Sequence, residues 1–277
     1  MIHYDYDDDI LMCGNGAGFM AVESMCGIYR AFEEAGFIPG RAMCSSGSTL
    51  FASLYYSVLT TKWFDALMSV TSPEDFIDLN VRQTLRTIGS GSNLILDNDP
   101  VFEILSKNMN GNASKRVQTS VTRNSDWTSH MKWVTPGWST AATSIPFVFK
   151  PVKIAGDLWC DGGVLNNLPV PDFKSAKKWK HIFVFVAPPT AYLSGNFILR
   201  QLMNLLQAVM EREIQQLQES GFFNLPNVTV IRPRSDFGGS LLGWSPNFTL
   251  REEIYKQTKG LLIYKQTKGL LKNVKIN

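Results

Sequence analysis

Ser46 is the strongest candidate for a catalytic nucleophile in this chain. It lies between a short predicted strand at residues 41–45 and a predicted helix at residues 49–59. A strand-to-helix turn lifts one hydroxyl out of a sheet and holds it in a strained backbone conformation, which is the geometry of a nucleophile elbow. The usual pattern is G-x-S-x-G. Here it reads Cys44-Ser45-Ser46-Gly47-Ser48, so two small residues replace the flanking glycines and we expect a more strained turn.

Asp161 is a second candidate, and two glycines follow it. It comes directly after the apolar residues 158–160, so we expect it to end a strand. Gly162 and Gly163 leave room for another part of the backbone to approach closely. Taken alone, this pattern is typical of a turn.

The glycine-rich segment at residues 14–18 follows a predicted strand and precedes a predicted helix. Backbone N–H groups at such a helix N-terminus can hold a phosphate or a developing oxyanion. A dinucleotide site would require a third glycine where this chain has Phe19, and an acidic residue at the end of the second strand. The Cys-Ser-Ser turn ends that strand instead, so nucleotide binding is not favoured.

The order of the elements around these residues is typical of a parallel α/β sheet. Residues 10–13 predict a buried strand, and apolar spacing predicts an amphipathic helix over residues 20–35. Residues 181–187 are nearly all apolar and β-prone, as in a central parallel strand. Residues 62–107 show no clear pattern, and we expect a partly helical insertion over the active site rather than a separate domain.

Composition and charge exclude several classes of protein. A hydrophobic fraction of 44% excludes global disorder, and a net charge of +3 is too small for a chain whose main partner is nucleic acid. The four cysteines have no C-x-x-C spacing and no matching histidines, so no zinc site is expected. No apolar stretch reaches the ~18 residues of a membrane span. The acidic N-terminus lacks the features of a signal peptide, which favours an intracellular protein, cytoplasmic or peripheral on membranes.

Two longer segments carry a resemblance to a known family. The runs Ser144–Val152 and Asp161–Val170 are similar to the DGG block of the patatin-like phospholipases. Ser46 also lies ten residues after Gly36, the spacing that this family uses. The resemblance covers about residues 9–260.

This resemblance implies a fold and a chemistry. The fold would be a mainly parallel sheet sandwiched by helices, related to the three-layer α/β hydrolases, in a single domain spanning residues 1–277. The activity would be hydrolysis of lipid acyl esters through a Ser46–Asp161 dyad, with Ser46 as nucleophile and Asp161 as base. The resemblance further implies an oxyanion hole formed by Gly14, Asn15 and Gly16, and a structural turn at Gly162 and Gly163. No metal or organic cofactor is implied.

The implied partners are a phospholipid or another acyl lipid and a membrane surface contacted peripherally, and the need for a protein activator stays open. Two other functions stay open. The replaced elbow glycines motivate a weakly active or inactive module that binds lipid or a partner. A histidine-dependent esterase would need His3, His130 or His181 beside Ser46.

Overall fold

The computed structural model describes residues 6–58, 60–70, 97–146, 148–187, 197–233 and 248–267. Within these ranges eight strands form one sheet. The strands are β1 (Tyr6–Gly14), β2 (Ile38–Cys44), β3 (Val117–Arg123), β4 (Thr128–Trp133), β5 (Val152–Ile154), β6 (Asp157–Asp161), β7 (His181–Phe185) and β8 (Val228–Ile231). The helices are α1 (Gly18–Glu34), α2 (Ser46–Val58), α3 (Thr61–Val70), α4 (Asp99–Asn108), α5 (Ala113–Arg116), α6 (Pro136–Ala142), α7 (Phe173–Ala176), α8 (Phe197–Glu219) and α9 (Phe248–Thr267).

The sheet is mostly parallel, as the sequence predicts. Strand order is β5-β6-β3-β2-β1-β7-β8, and β4 also pairs with β3. Strands β2, β1, β7 and β8 run parallel, with β3 parallel to β2. Pairings of β3 with β4, of β3 with β6 and of β5 with β6 are antiparallel. The fold is therefore the mixed α/β architecture expected from the sequence.

Helices cover both faces of the sheet. Ile10 and Met12 of β1 belong to one apolar core, which also contains residues of α1, α2 and α9. Leu11 and Cys13 of the same strand belong to a second core, against which α8 packs. Because neighbouring residues of a strand point to opposite faces, this alternation shows a sheet buried on both sides.

The pairing of β3 brings the ends of two other strands together. Strand β4 pairs with β3 over residues 118–123, while β2 pairs with residues 117–119 and β6 with residues 121–123. Since β4 occupies one edge of β3 along this length, β2 and β6 must share the other edge. They run in opposite directions, so their carboxyl ends meet. Cys44 lies opposite Thr119, and Asp161 lies opposite Val121.

Some sequence predictions need correction or fall outside the described residues. Strand β5 is short and covers only Val152–Ile154. The edge strand β4 was not expected. Of the insertion predicted at residues 62–107, α3 and α4 are described and contribute Phe64, Val101 and Leu105 to the core, and residues 71–96 lie outside the described ranges. Its place over the active site stays a prediction.

Candidate active site

Ser46 begins helix α2 directly after the β2 turn, and its backbone is strained. Its φ of 48° lies in the left-handed region, which non-glycine residues avoid. The side chain is 7% exposed. Gly47 supplies the space that this turn requires, because a Cβ there would lie 2.0 Å from the carbonyl oxygen of Gly18. The elbow therefore keeps a glycine directly after the serine, where the chain packs against the start of α1.

Ser48, which replaces the second elbow glycine, is accommodated by the glycine loop. A Cβ on Gly14 would lie 2.9 Å from the Cβ of Ser48, so the absence of a side chain at position 14 makes room for this serine. The Ser48 hydroxyl donates a 2.7 Å hydrogen bond to the carbonyl of Asn15. The substitution thus joins the elbow to the loop.

Asp161 ends β6 with a buried carboxyl group. Its side chain is 3% exposed, and Oδ1 accepts a 2.7 Å hydrogen bond from the N–H of Gly163. Burial raises the pKa of Asp161 to about 7, and the Ser46 hydroxyl and the Gly163 N–H oppose this rise. Oδ2 is buried and has no hydrogen bond of ordinary geometry to any described residue. Gly162, the next residue, lies against the backbone of Ser120 on β3.

Ser46 and Asp161 line the same cleft. It encloses about 460 Å³ of empty space, part of it open to solvent. Its lining residues come from the start of α1, the elbow, the turn after Asp161 and helix α8. They are Gly16, Ala17, Gly18, Ser46, Ile145, Asp161, Gly163, Val164, Asn167, Leu206, Gln207 and Met210. A hydroxyl, a carboxyl group with a pKa near neutrality and an apolar wall thus meet in one place.

The N–H groups of the glycine loop are already used, in part, by the protein itself. The N–H of Asn15 donates to the carbonyl of Phe185, and that of Gly16 donates to the carbonyl of Asn167. Neither N–H is free to hold an oxyanion in this conformation, and the oxyanion hole at Gly14, Asn15 and Gly16 stays a prediction. Gly14 lies within β1, paired on both sides. The next amides of the loop, at residues 17 and 18, line the cleft and have no hydrogen-bond acceptor among the described residues.

The side chain of Asn15 explains why the loop carries an asparagine. Its Oδ1 accepts a 2.8 Å hydrogen bond from the N–H of Ala187, just after β7, and its Nδ2 lies 3.5 Å from the Sδ of Met210 on α8. Both polar ends of this fully buried side chain are therefore engaged. Asn15 joins the loop to the neighbouring strand and to the helix that lines the cleft.

Neither described histidine lines the cleft. His181 begins β7, four residues or about 13 Å from the end of the strand beside the cleft. Its Nε2 lies 2.7 Å from the Oγ1 of Thr229, and burial lowers its pKa to about 4. His130 lies on β4 and contacts Thr128 and Trp159. His3 lies outside the described residues.

Several residues of this site were not assigned a role from the sequence. Asn167 and Met210 line the cleft, and Glu213 of α8 accepts hydrogen bonds from the N–H groups of Asn167 and Leu168. Asn167 stands inside the DGG block and could have been singled out there. For Met210 and Glu213 no local pattern exists, because only the packing of α8 against the loops brings them to the cleft.

Two other features bear on the expected chemistry. Among the residues that the structure describes, no group of three or more His, Cys, Asp or Glu side chains is placed to bind a metal ion. Within the same ranges no helix has both the length and the apolar character needed to cross a membrane.

Comparison with known proteins agrees with the resemblance seen in the sequence. Residues 52–174 match the family model described as patatin-like phospholipase. This match includes Asp161 and the DGG block, and it begins six residues after Ser46. The search of the curated proteins found no match. Among solved structures the chain is similar to VipD from Legionella pneumophila, with 13% identity and a TM-score of 0.47, covering 95% of this chain and 67% of VipD.

Proposed function

We propose, from the match of residues 52–174 to the patatin-like phospholipase family model, that the protein hydrolyses the acyl esters of lipids, glycerophospholipids in particular. Ser46 is the nucleophile of the proposal and Asp161 the base. One observation carries it. Ser46, which has a strained backbone and follows β2, and Asp161, whose buried carboxyl group ends β6, face the same cleft.

The proposed reaction uses the unpartnered oxygen of Asp161. As Ser46 Oγ attacks the ester carbonyl, its proton passes to Asp161 Oδ2, and the carbonyl oxygen becomes an oxyanion. Collapse of this intermediate forms the acyl-enzyme and transfers the proton from Asp161 to the departing alcohol. Water then attacks the acyl-enzyme, with Asp161 again accepting and returning a proton. Hydrogen bonds at such sites are often loose without substrate, which fits the unpartnered Oδ2.

In this mechanism the oxyanion is held at the meeting point of two helix N-termini. Residues 17 and 18 begin α1, and Gly47, directly after the nucleophile, lies in the first turn of α2. The first N–H groups of a helix have no partner within the helix and carry its positive dipole end. In nucleophile elbows the residue after the serine contributes one such donor. These amides replace those of Asn15 and Gly16 in the proposal.

The apolar part of the cleft would receive the acyl chain. Val164 lies three residues after Asp161, and Ile145 follows Ser144, whose carbonyl accepts the N–H of Asp161. Leu206 and Met210 lie one turn apart on α8. Apolar walls with a few polar groups at the reacting end suit an ester with a hydrocarbon tail.

Peripheral membrane contact is part of the proposal. Leu205 and Val209 of α8 are 61% and 36% exposed and neighbour the cleft-lining residues of that helix. Leu165, beside Val164, is 44% exposed. Such apolar side chains at the mouth of a cleft suit entry into a lipid surface. Of two other apolar segments, the one at Phe64 in α3 is buried in the core, and residues 241–244 lie outside the described residues.

The proposal is tested by hydrolysis of a short-chain phosphatidylcholine below its micellar concentration, followed by release of fatty acid. Ser46→Ala should abolish hydrolysis. Ser45→Ala is the matched control, because its buried hydroxyl has no hydrogen-bond partner among the described residues. It should keep activity close to wild type. Loss of activity in Ser45→Ala with retention in Ser46→Ala would refute the assignment.

A second function remains for the same cleft. The engaged N–H groups of Asn15 and Gly16 and the unpartnered Asp161 Oδ2 also fit a site that binds acyl lipid without turnover, or that needs a protein activator to assemble. Saturable binding of a labelled fatty acid by wild type, without hydrolysis of any ester offered, would favour this alternative.

A further inference from the structure

Asn167 joins the two loops of the proposed active site. Its backbone carbonyl accepts the N–H of Gly16 at 3.1 Å, and its side-chain Nδ2 donates to the carbonyl of Gly16, also at 3.1 Å. Its Oδ1 lies 2.5 Å from the place of a Cβ on Gly16 and 2.6 Å from that of a Cβ on Gly163. Asn167 therefore links the glycine loop to the turn after Asp161 through two hydrogen bonds with Gly16.

Glu213 on α8 holds Asn167 in turn. Its Oε2 accepts hydrogen bonds from the N–H groups of Asn167 at 2.8 Å and Leu168 at 3.2 Å. Burial raises the pKa of Glu213, and the two N–H groups oppose this rise. No cation forms an ion pair with this carboxylate within the described part of the chain. A partly buried carboxylate without a counter-ion is costly, so these two hydrogen bonds are its main compensation.

The same helix lines the cleft. Met210 lies one turn before Glu213 and contacts the side chain of Asn15, and Leu206 lies one turn further back. Met210 thus attaches α8 to the glycine loop, and Glu213 attaches the same helix to the segment after Asp161.

We propose that Glu213 is a positioning residue of the active site. Acting through Asn167, it sets the glycine loop and its oxyanion-binding amides relative to Ser46 and Asp161. This inference rests on the proposed function for its catalytic consequence, while the placement of the loop can be measured separately.

The test compares Glu213→Ala and Glu213→Gln with Glu219→Ala. Glu219 is exposed, lies on the same helix and pairs only with Gln215 of its own helix among the described residues. Two readouts are needed: the rate constant for labelling by a fluorophosphonate, followed by intact mass, and amide hydrogen exchange in peptides covering residues 14–18 and 161–170. Both are measured well below the melting temperature of every variant, with circular dichroism to establish folding.

The expected labelling rates follow from the hydrogen bonds. Glu213→Ala leaves two N–H groups without an acceptor and should slow labelling by about tenfold or more, since small displacements of catalytic groups are costly. Glu213→Gln keeps a neutral acceptor oxygen and should stay within about threefold of wild type. Glu219→Ala should match wild type. A purely structural role would instead lower the melting temperature while leaving the labelling rate of the folded protein unchanged.

A double-variant cycle shows whether Glu213 acts through Asn167. Asn167→Ala removes the side-chain bond to Gly16 and keeps the backbone bond, so in this background Glu213→Ala should cause a smaller further loss of labelling rate than it causes in wild type. Fully additive losses would overturn the proposed route.

Hydrogen exchange separates the failure of this inference from the failure of the proposed function. Glu213→Ala should speed exchange in both peptides, and Glu219→Ala should not. Unchanged exchange in Glu213→Ala overturns the inference, whatever the activity. If wild type forms no adduct that depends on Ser46, the proposed function fails, and exchange alone decides whether Glu213 positions the loop.

Discussion

Replacing Asp161 by asparagine should stabilise the protein while removing its chemistry. Burial raises the pKa of Asp161 from 3.8 to about 7, so ionising this carboxyl group is unfavourable in the folded state. Asparagine keeps an oxygen that can accept the hydrogen bond from Gly163, and it carries no charge. The substitution therefore removes the free-energy cost of a buried charge, while the side chain keeps nearly the same size.

The magnitude and its sign follow from proton linkage. Between the unfolded pKa of 3.8 and the folded pKa of about 7, the folded state holds one proton more than the unfolded state. The unfolding free energy of wild type therefore falls as pH rises through this window, by about 4 kcal/mol over its whole width. From about pH 5 to pH 9 the advantage of Asp161→Asn over wild type should grow by about 3 kcal/mol, because about two pH units of the window are crossed.

The assay is urea unfolding of wild type and Asp161→Asn across this pH range, followed by circular dichroism. Asp157→Asn, at the half-buried start of the same strand, is the matched control and should show no such growth. A stability difference between Asp161→Asn and wild type that does not change with pH would refute the reasoning. It would mean that Asp161 ionises in the folded protein as it does in the unfolded chain.

Three further predictions concern the same residues. Because the φ of Ser46 suits glycine, the free energy of unfolding of Ser46→Gly should exceed that of Ser46→Ala by about 1 kcal/mol. Equal urea midpoints for the two variants would contradict backbone strain at this position. The fluorophosphonate labelling rate of wild type should rise with pH and reach half its maximum near pH 7, where Asp161 becomes a base, and a rate independent of pH between about 5 and 9 would contradict this role. His130→Ala and His181→Asn should each label at nearly the wild-type rate when folded, since neither side chain lines the cleft, and a loss above about a hundredfold in either would favour a histidine-dependent esterase.

The parallel part of the fold could be predicted from the sequence because its strands are buried on both faces. Residues 181–187 are almost wholly apolar, and β7 forms there. Helix α1 was expected over residues 20–35 from its apolar spacing and covers Gly18–Glu34. In each case local pattern and tertiary environment agree.

The edge strand β4 could not be predicted in the same way. Its sequence, Thr128–Trp133, contains polar and charged residues and no apolar run, and its residues are exposed or half-buried. Such a strand forms because β3 offers a free edge, which is a property of the folded sheet. Pairing with β4 also leaves β2 and β6 to share the other edge of β3. The sequence therefore does not predict that the ends of β2 and β6 meet.

The candidate site shows the same division between local and long-range information. Ser46 and Asp161 stand in local patterns, a strand-to-helix turn and a strand followed by two glycines. The use of the Asn15 and Gly16 amides depends on carbonyls that lie far away in the chain, at Phe185 and Asn167. Glu213 occupies an amphipathic helix that carries several other Glu and Gln residues, and nothing in the sequence marks it among them. These contacts become visible only after the chain has folded.

The central claim is that Ser46 is an activated nucleophile served by Asp161. The most direct test is reaction with a fluorophosphonate, read by intact mass on wild type, Ser46→Ala and Asp161→Asn. We predict one adduct on wild type, none on Ser46→Ala and a strongly slowed adduct on Asp161→Asn. An adduct that persists in Ser46→Ala, or an Asp161→Asn protein that labels as fast as wild type, would contradict the account.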